Sequence, residues 1–169
     1  YFVLLIVFMS KVYTSAGDEG FTKDFSGKIY SKDDLMIIIN GKVDSLQSAL
    51  DMVLFLDTKH SVFLKKVQQK LWQASGEIAN CPGDCLNAPI TDLDLKQLEE
   101  YTDSLGEPPN KFVRFTNETS IWFNECRVRC RELETFLVKM LLTRKLRPEI
   151  YKYINRLSSL FFMLGYKSG

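Results

Sequence analysis

The stretch Cys126-Arg127-Val128-Arg129-Cys130-Arg131-Glu132-Leu133-Glu134 decides how this chain is read. It lies inside a helical pattern from about Thr119 to Leu142. At about 100° per residue, Arg127, Arg131 and Glu134 share one narrow stripe. Phe123, Cys126, Cys130, Leu133, Leu137 and Leu141 form the apolar stripe beside it. Val138 and Leu142 continue the arginine stripe, so it does not read as a simple solvated face. Charges beside a core need partners, because unpaired buried charge is costly. Two readings stand at this point. One is a structural ion-pair network, and the other is an anion site using the rigid fork of arginine.

The 169 residues, 46% hydrophobic and 25% charged, have the composition of one globular domain. Such a length buries roughly 70% of its unfolded surface, so neither disulfides nor a metal are needed to hold it together. A net charge of +1 gives no argument for nucleic acid or an anionic membrane surface. The cysteines form two C-x3-C pairs, Cys81/Cys85 and Cys126/Cys130. The second pair sits on the apolar stripe and reads as small hydrophobes rather than zinc ligands. Cys81 and Cys85 flank a Pro-Gly-Asp loop and read as incidental or redox-active. His60 lies between two helical patterns and reads as a surface residue. Asn117-Glu118-Thr119 fits a glycosylation sequon, a pattern common by chance. No Ser-His-Asp or Cys-His arrangement is recognisable.

Residues 1–9, YFVLLIVFM, are apolar but too short to span a bilayer. They read as an N-terminal extension, upstream of a natural start at Met9-Ser10, and residues 10–169 as one domain. Residues 13–31 read as a loop with glycines, hydroxyls and lysines, able to direct backbone N–H groups at an anion. Ser31 with Asp34 then reads as a capping pair opening a helix. Helical spacing predicts α-helices over about Lys32–Leu56, Ser61–Ala79, Thr91–Leu105, Thr119–Leu142 and Glu149–Tyr166. Their stripes include Met36, Ile39, Val43, Leu46, Leu50 and Val53 in the first, with Asp44 on another face. Ile150, Ile154, Leu157, Phe161 and Leu164 line the last. With no convincing strand pair, the expected fold is an all-α bundle of four long helices and one short one.

With these motifs quoted, the chain resembles the ATP:cob(I)alamin adenosyltransferases of the propanediol-utilisation type from Val12 to Leu164. Tyr13-Thr14-Ser15-Ala16-Gly17-Asp18-Glu19-Gly20-Phe21-Thr22 matches Y-T-[KR]-T-G-D-x-G-x-T. Phe25, Gly27, Lys28 and Lys32-Asp33-Asp34 follow at the family's spacing. Gly41, Asp44, Leu46 and Ser48 match G-x-x-D-E-L-x-S. Arg127, Cys130, Arg131 and Glu134 match R-x-x-C-R-R-A-E, and Tyr153 with Asn155-Arg156-Leu157-Ser158 matches the closing motif. The resemblance implies a ferritin-like, up-down five-helix bundle assembling as a trimer, with ATP and corrinoid sites between subunits. It implies transfer of the 5′-deoxyadenosyl group of ATP to cob(I)alamin, with Mg²⁺ on the triphosphate, and a cytoplasmic protein (mitochondrial matrix in a eukaryote). Thr14, Gly17, Asp18, Gly20, Thr22, Lys28 and Lys32 would hold the triphosphate, and Arg131, Glu134 and Asn155 would complete the ATP site. Arg127 would pair with Asp44 of a neighbouring subunit near the corrin. Phe112 would displace the corrinoid's lower ligand. No protein ligand to a metal is assigned.

The chain also departs from the family pattern. Ser15 replaces a Lys or Arg, Ile38 and Ser45 replace carboxylates, Glu132 replaces an arginine and Ser159 an aspartate. Phe115-Thr116-Asn117 stands where Pro-Gly-Gly is usual. These departures set a non-catalytic bundle that binds ATP or a corrinoid, as sensor, carrier or scaffold, against the enzyme.

Overall fold

A computed structural model describes residues 15, 17–83, 86–143 and 146–169. The segment 1–9 and Thr14 lie outside the described residues, as does Cys85. Among the described residues five helices carry the fold: α1 (Leu35–Leu56), α2 (Ser61–Ile78), α3 (Asp92–Ser104), α4 (Glu118–Thr143) and α5 (Pro148–Ser168). The one departure from an all-α chain is a hairpin that periodicity did not reveal. Strands β1 (Phe21–Lys23) and β2 (Ile29–Ser31) pair antiparallel, with Thr22 opposite Tyr30. At three residues each they are too short for an alternation signal. The turn between them carries Gly27 at φ 83°, where a side chain would be strained.

α4 forms the centre, packing along α5 and against α1, while α2 lies on α1 and α3 on α5. The core follows the apolar stripes except at the end of α4, where Met140 is buried and the predicted Leu141 is only half-buried. Phe123, Cys126, Cys130, Leu133 and Leu137 of α4 are fully buried, against the α1 stripe and the five named α5 residues. Burying each such side chain is worth roughly 1.5–3 kcal/mol, which outweighs the modest helix propensity of the cysteines and Phe123. At the start of α4, Gly165 allows the close approach of α5. A Cβ there would stand 2.9 Å from Phe115 Cε1 and 3.2 Å from the Ser120 carbonyl oxygen.

Two local expectations are corrected, and a third residue gains a structural role. The helix cap before α1 is Asp34 itself, whose carboxylate accepts from Met36 N–H at 2.9 Å, while the Ser31 hydroxyl donates to Asp33. His60 is buried rather than on the surface, its Nδ1 2.8 Å from the Tyr101 hydroxyl. Phe63 stacks on Tyr101 and completes that cluster. Asn117, the sequon residue, is committed to the fold. It accepts from Ser120 N–H at 2.8 Å and donates to the Ser168 carbonyl at 2.6 Å, tying α4's first turn to α5's last.

Candidate active site

The arginine stripe resolves differently from an ion-pair network. Arg127 is half-buried and donates through Nε to Asn124 at 2.9 Å. Arg131 is exposed, and among the described residues its guanidinium has no partner. Glu134, one turn on, accepts from Asn155 Nδ2 at 2.5 Å and from the Tyr151 hydroxyl at 3.4 Å. Asn155 is thereby fixed with its carbonyl oxygen turned to Arg156. The structure thus joins Glu134 and Asn155 across the α4–α5 seam and, among the described residues, leaves Arg127 and Arg131 without a carboxylate. Val138 and Leu142, which extend the stripe, are open to solvent in the single chain, Leu142 at 82%.

Beside Arg127 the extended segment 111–115 and helices α4 and α5 enclose a cavity of about 540 Å³. Phe112, Phe115, Ile121, Asn124, Arg127 and Phe162 are among its walls. Phe112 is 87% exposed, an apolar side chain held over an open space rather than packed in a core. Phe115 meets Phe162 edge to face at 6.1 Å between ring centroids. Phe112 and Arg127 therefore share one chamber, which the sequence alone did not establish.

The glycine-rich segment lies at the other end of the candidate set. Lys32 Nζ donates to the Gly17 carbonyl at 2.7 Å, and its backbone N–H donates to the Gly20 carbonyl at 2.8 Å. Lys28 extends from the hairpin turn with its amine 5.1 Å from the Tyr30 ring centroid. Thr22 is half-buried within β1, and Asp18 is exposed. The expectation of a loop aiming successive N–H groups at an anion is corrected in part. Asp18 N–H donates to the Ser15 carbonyl and Gly20 N–H to the Gly17 carbonyl, so both are used in turns. The lysine amines are then the chief cationic donors of the segment. Ser15 adopts φ 57°, a left-handed conformation unusual for a residue with a side chain.

Asp44 projects from the exposed face of α1 and has no ion partner among the described residues. It lines a second cavity, of about 470 Å³, beneath the hairpin with Phe25, Asn40, Trp72 and Ser75. Sequence reasoning missed Trp72, which is exposed on α2 and carries no motif signal. Two departures from the family pattern also acquire partners. Glu132 pairs with Lys42 at 2.7 Å, and the Ser45 carbonyl accepts from Arg129 Nη1 at 2.9 Å. Both contacts cross the α1–α4 seam. The thiols of Cys126 and Cys130 are buried and free. Burial pushes Cys126 up to about 12 and Cys130 well above the ordinary thiol range, which suits core packing and not nucleophilic chemistry. Cys81, by contrast, is disulfide-bonded.

Comparison with known proteins gives a consistent result. A corrinoid adenosyltransferase of Citrobacter freundii is 32% identical over 166 residues, covering 93% of this chain and 94% of that protein. The human corrinoid adenosyltransferase MMAB is 29% identical over 169 residues, covering 92% of this chain and 67% of its own length. Among solved structures, a variant of the PduO-type ATP:corrinoid adenosyltransferase of Lactobacillus reuteri, complexed with cobalamin and ATP, superposes with a TM-score of 0.79. It is 22% identical, with 94% of this chain and 93% of that one covered. The sequence model of the cobalamin adenosyltransferase family matches residues 12–168, and the chain belongs to that family.

Proposed function

We propose that this protein transfers the 5′-deoxyadenosyl group of ATP to cob(I)alamin, giving adenosylcobalamin and triphosphate. The observation that carries the reading is a contrast in charge pairing. Lys42–Glu132, Arg129–Glu125, Arg147–Glu77 and Arg156–Glu99 all close within the chain. Arg127, Arg131 and Asp44 have no ion partner among the described residues. Those three are the positions that the family resemblance assigns to the reaction. Arg127 and Asp44 each line a cavity, and charges left without an ion partner there suit a ligand or a second subunit.

In the reaction the Co(I) electron pair attacks the 5′ carbon of ATP. The C5′–O bond breaks, and its electrons leave with the triphosphate. The protein need not supply a nucleophile or a base, which fits a site of cations, an amide and an apolar wall. Lys28, Lys32 and Arg131 neutralise the leaving triphosphate. Gly17, Asp18, Gly20, Thr22 and Thr14 shape the loop around it. Glu134 and Asn155, already hydrogen-bonded to one another, hold the nucleotide opposite the corrin. Arg127 pairs with Asp44 of the neighbouring subunit in a ferritin-like homotrimer whose sites lie between subunits. Phe112 fills the space below the corrin and excludes water and the lower ligand. Mg²⁺ bound to the triphosphate would act as its counter-ion and supply electrophilic assistance there. Among the described residues no helix is long and apolar enough to cross a membrane. We place the protein in the cytoplasm, or the mitochondrial matrix of a eukaryote.

The test is incubation with ATP, Mg²⁺ and chemically reduced cobalamin, followed by the adenosylcobalamin spectrum. Its absence under conditions that support a family member would overturn the assignment. Light scattering should give three times the chain mass, and a monomer at all practical concentrations would refute sites shared between subunits.

A further inference from the structure

The hairpin carrying Lys28 buries Tyr30 in the core, and its turn is tied to the bundle by a side chain that lies outside the residues assigned to the site. Its turn is built on Asp24. The Asp24 carboxylate accepts from Ser26 N–H at 2.9 Å, Ser26 Oγ at 2.6 Å and Lys28 N–H at 3.0 Å. Its other oxygen accepts from Asn80 Nδ2 at 3.0 Å. Asn80 is the residue after the C-cap of α2, and its backbone is left-handed at φ 56°. Asparagine tolerates that conformation better than most residues with a side chain. The same amide nitrogen lies 3.5 Å from the Tyr30 hydroxyl and 3.6 Å from Met36 Sδ. One side chain thus touches the hairpin turn, the second strand and the first turn of α1. Phe25 N–H adds a backbone contact to the Ala79 carbonyl at 3.3 Å.

We propose that Asn80 is a positioning residue for ATP, latching the Asp24 turn to the end of α2 so that Lys28 and Lys32 face the triphosphate together. This rests on the reading that those two lysines hold the triphosphate. The two amines sit on opposite ends of β2, so a hairpin that swings from the bundle moves Lys28 away from Lys32. Lys32 stays with the Gly17 and Gly20 carbonyls at the start of α1. The Asp24 carboxylate is held down at about 2, chiefly by its hydrogen bond to Ser26 with those of Asn80 and Lys28 adding, so the latch keeps its charge throughout the neutral range. An unlatched hairpin is still competent part of the time. The apparent affinity for ATP then falls by the competent fraction, while saturating ATP restores the latched state. The latch therefore acts on KM for ATP and not on kcat.

The test compares Asn80→Gly with the wild type in the adenosylation assay. Glycine keeps the left-handed backbone and removes only the amide. The KM for ATP should rise roughly 3–10-fold, the equivalent of one net hydrogen bond. The kcat should stay within about 2-fold, and the KM for cobalamin should not move. Asn80→Asp, which sets two carboxylates against each other, should raise the KM for ATP further. A lower thermal midpoint with an unchanged KM for ATP would overturn the latch and leave Asn80 a purely structural cap. Should Asn80→Gly fail to fold, Asp24→Asn weakens the same contact from the hairpin side and carries the same expectations. Lys28→Ala and Lys32→Ala separate the two layers of reasoning. If both leave the KM for ATP unchanged, the triphosphate assignment fails and the latch with it. If they raise it while the Asn80 variants do not, only the latch fails.

Discussion

Arg131 and Arg129 lie two residues apart on one helix, and they should fail in opposite ways when replaced by lysine. Arg129 is built into the fold. Its Nε meets Glu125 at 2.8 Å, and its Nη1 reaches the Ser45 carbonyl at 2.9 Å together with the Ser45 hydroxyl. A lysine cannot span both partners, so Arg129→Lys forfeits the cross-helix bond, worth about 1–2 kcal/mol. For a chain of this size that lowers the thermal midpoint by roughly 2–8 °C. Arg131 is exposed and has no partner to lose among the described residues. Arg131→Lys should change stability by no more than about 0.5 kcal/mol, a shift of less than about 2 °C. Turnover should respond in reverse. Loss of the guanidinium fork toward the triphosphate should cut it roughly 10–100-fold, or about 1.4–2.8 kcal/mol of transition-state stabilisation. Arg129→Lys should turn over normally once folded. The assays are a melt with and without MgATP and a spectroscopic adenosylation rate, on all three proteins. If Arg131→Lys melts early and turns over normally, the guanidinium is scaffolding and the anion-site reasoning is wrong.

Three further outcomes are expected. Cys126 and Cys130 should resist a thiol reagent at pH 8 until the protein unfolds, and replacing either by alanine should cost roughly 1–2 kcal/mol with turnover kept; rapid labelling of the native chain would contradict their burial. Burial holds the His60 imidazole below its usual 6.5, against the opposing pull of Asp57, so the folded state favours the neutral ring. The unfolded chain takes up that proton first as pH falls; the stabilisation is therefore complete above about pH 6.5 and is lost on acidification. The midpoint of the wild type should drop more steeply than that of His60→Gln between about pH 7.5 and 5.5, and parallel curves would refute this. Finally, Ser15→Lys restores the family's cation and should tighten ATP binding by at most roughly 1.5–3 kcal/mol; an unchanged dissociation constant would mean that the side chain at position 15 points away from the phosphates.

The parts of this molecule written in period and spacing were legible in advance, and those written in single contacts were not. The α4 stripe needed only the positions of Phe123, Cys126, Cys130, Leu133 and Leu137, because burial on a helix is periodic. The hairpin is too short for a period, and its evidence is distributed. Asp24, Gly27 and Asn80 specify it jointly, with Asn80 lying 56 residues from Asp24 in sequence. His60 shows the same limit. Its burial depends on Tyr101, 41 residues away, and nothing in its own neighbourhood announces that partner. The chamber shared by Phe112 and Arg127 forms because α4 and α5 close on the 111–115 segment, a tertiary event with no local signature. Motif matching supplied the names of the site residues, and the fold supplies the fact that Glu134 and Asn155 touch.

The departures from the family pattern carry less weight against catalysis than their number suggests, because of where they fall. Ser45 and Glu132 both lie on the seam between α1 and α4, and each is engaged across it. Where the pattern has a carboxylate on α1 and an arginine on α4, this chain has a serine facing Arg129 and a glutamate facing Lys42. The seam remains a polar cross-helix contact, with the cation supplied in one pair by α1 and in the other by α4. Such an exchange preserves helix packing and touches neither Arg127, Arg131, Glu134 nor Asn155. Ile38 is half-buried beside the core stripe of α1, and Ser159 is exposed. Ser15 alone removes charge from the segment proposed to hold the phosphates. A chain drifting away from adenosyl transfer would be expected to lose such cations early, since no ion pair among the described residues holds them in the fold. Here Arg127, held only by Asn124, and the exposed Arg131 have no carboxylate partner among the described residues, while the charges on the seam beside them are paired across it, an arrangement that suits a site held ready for an anionic substrate.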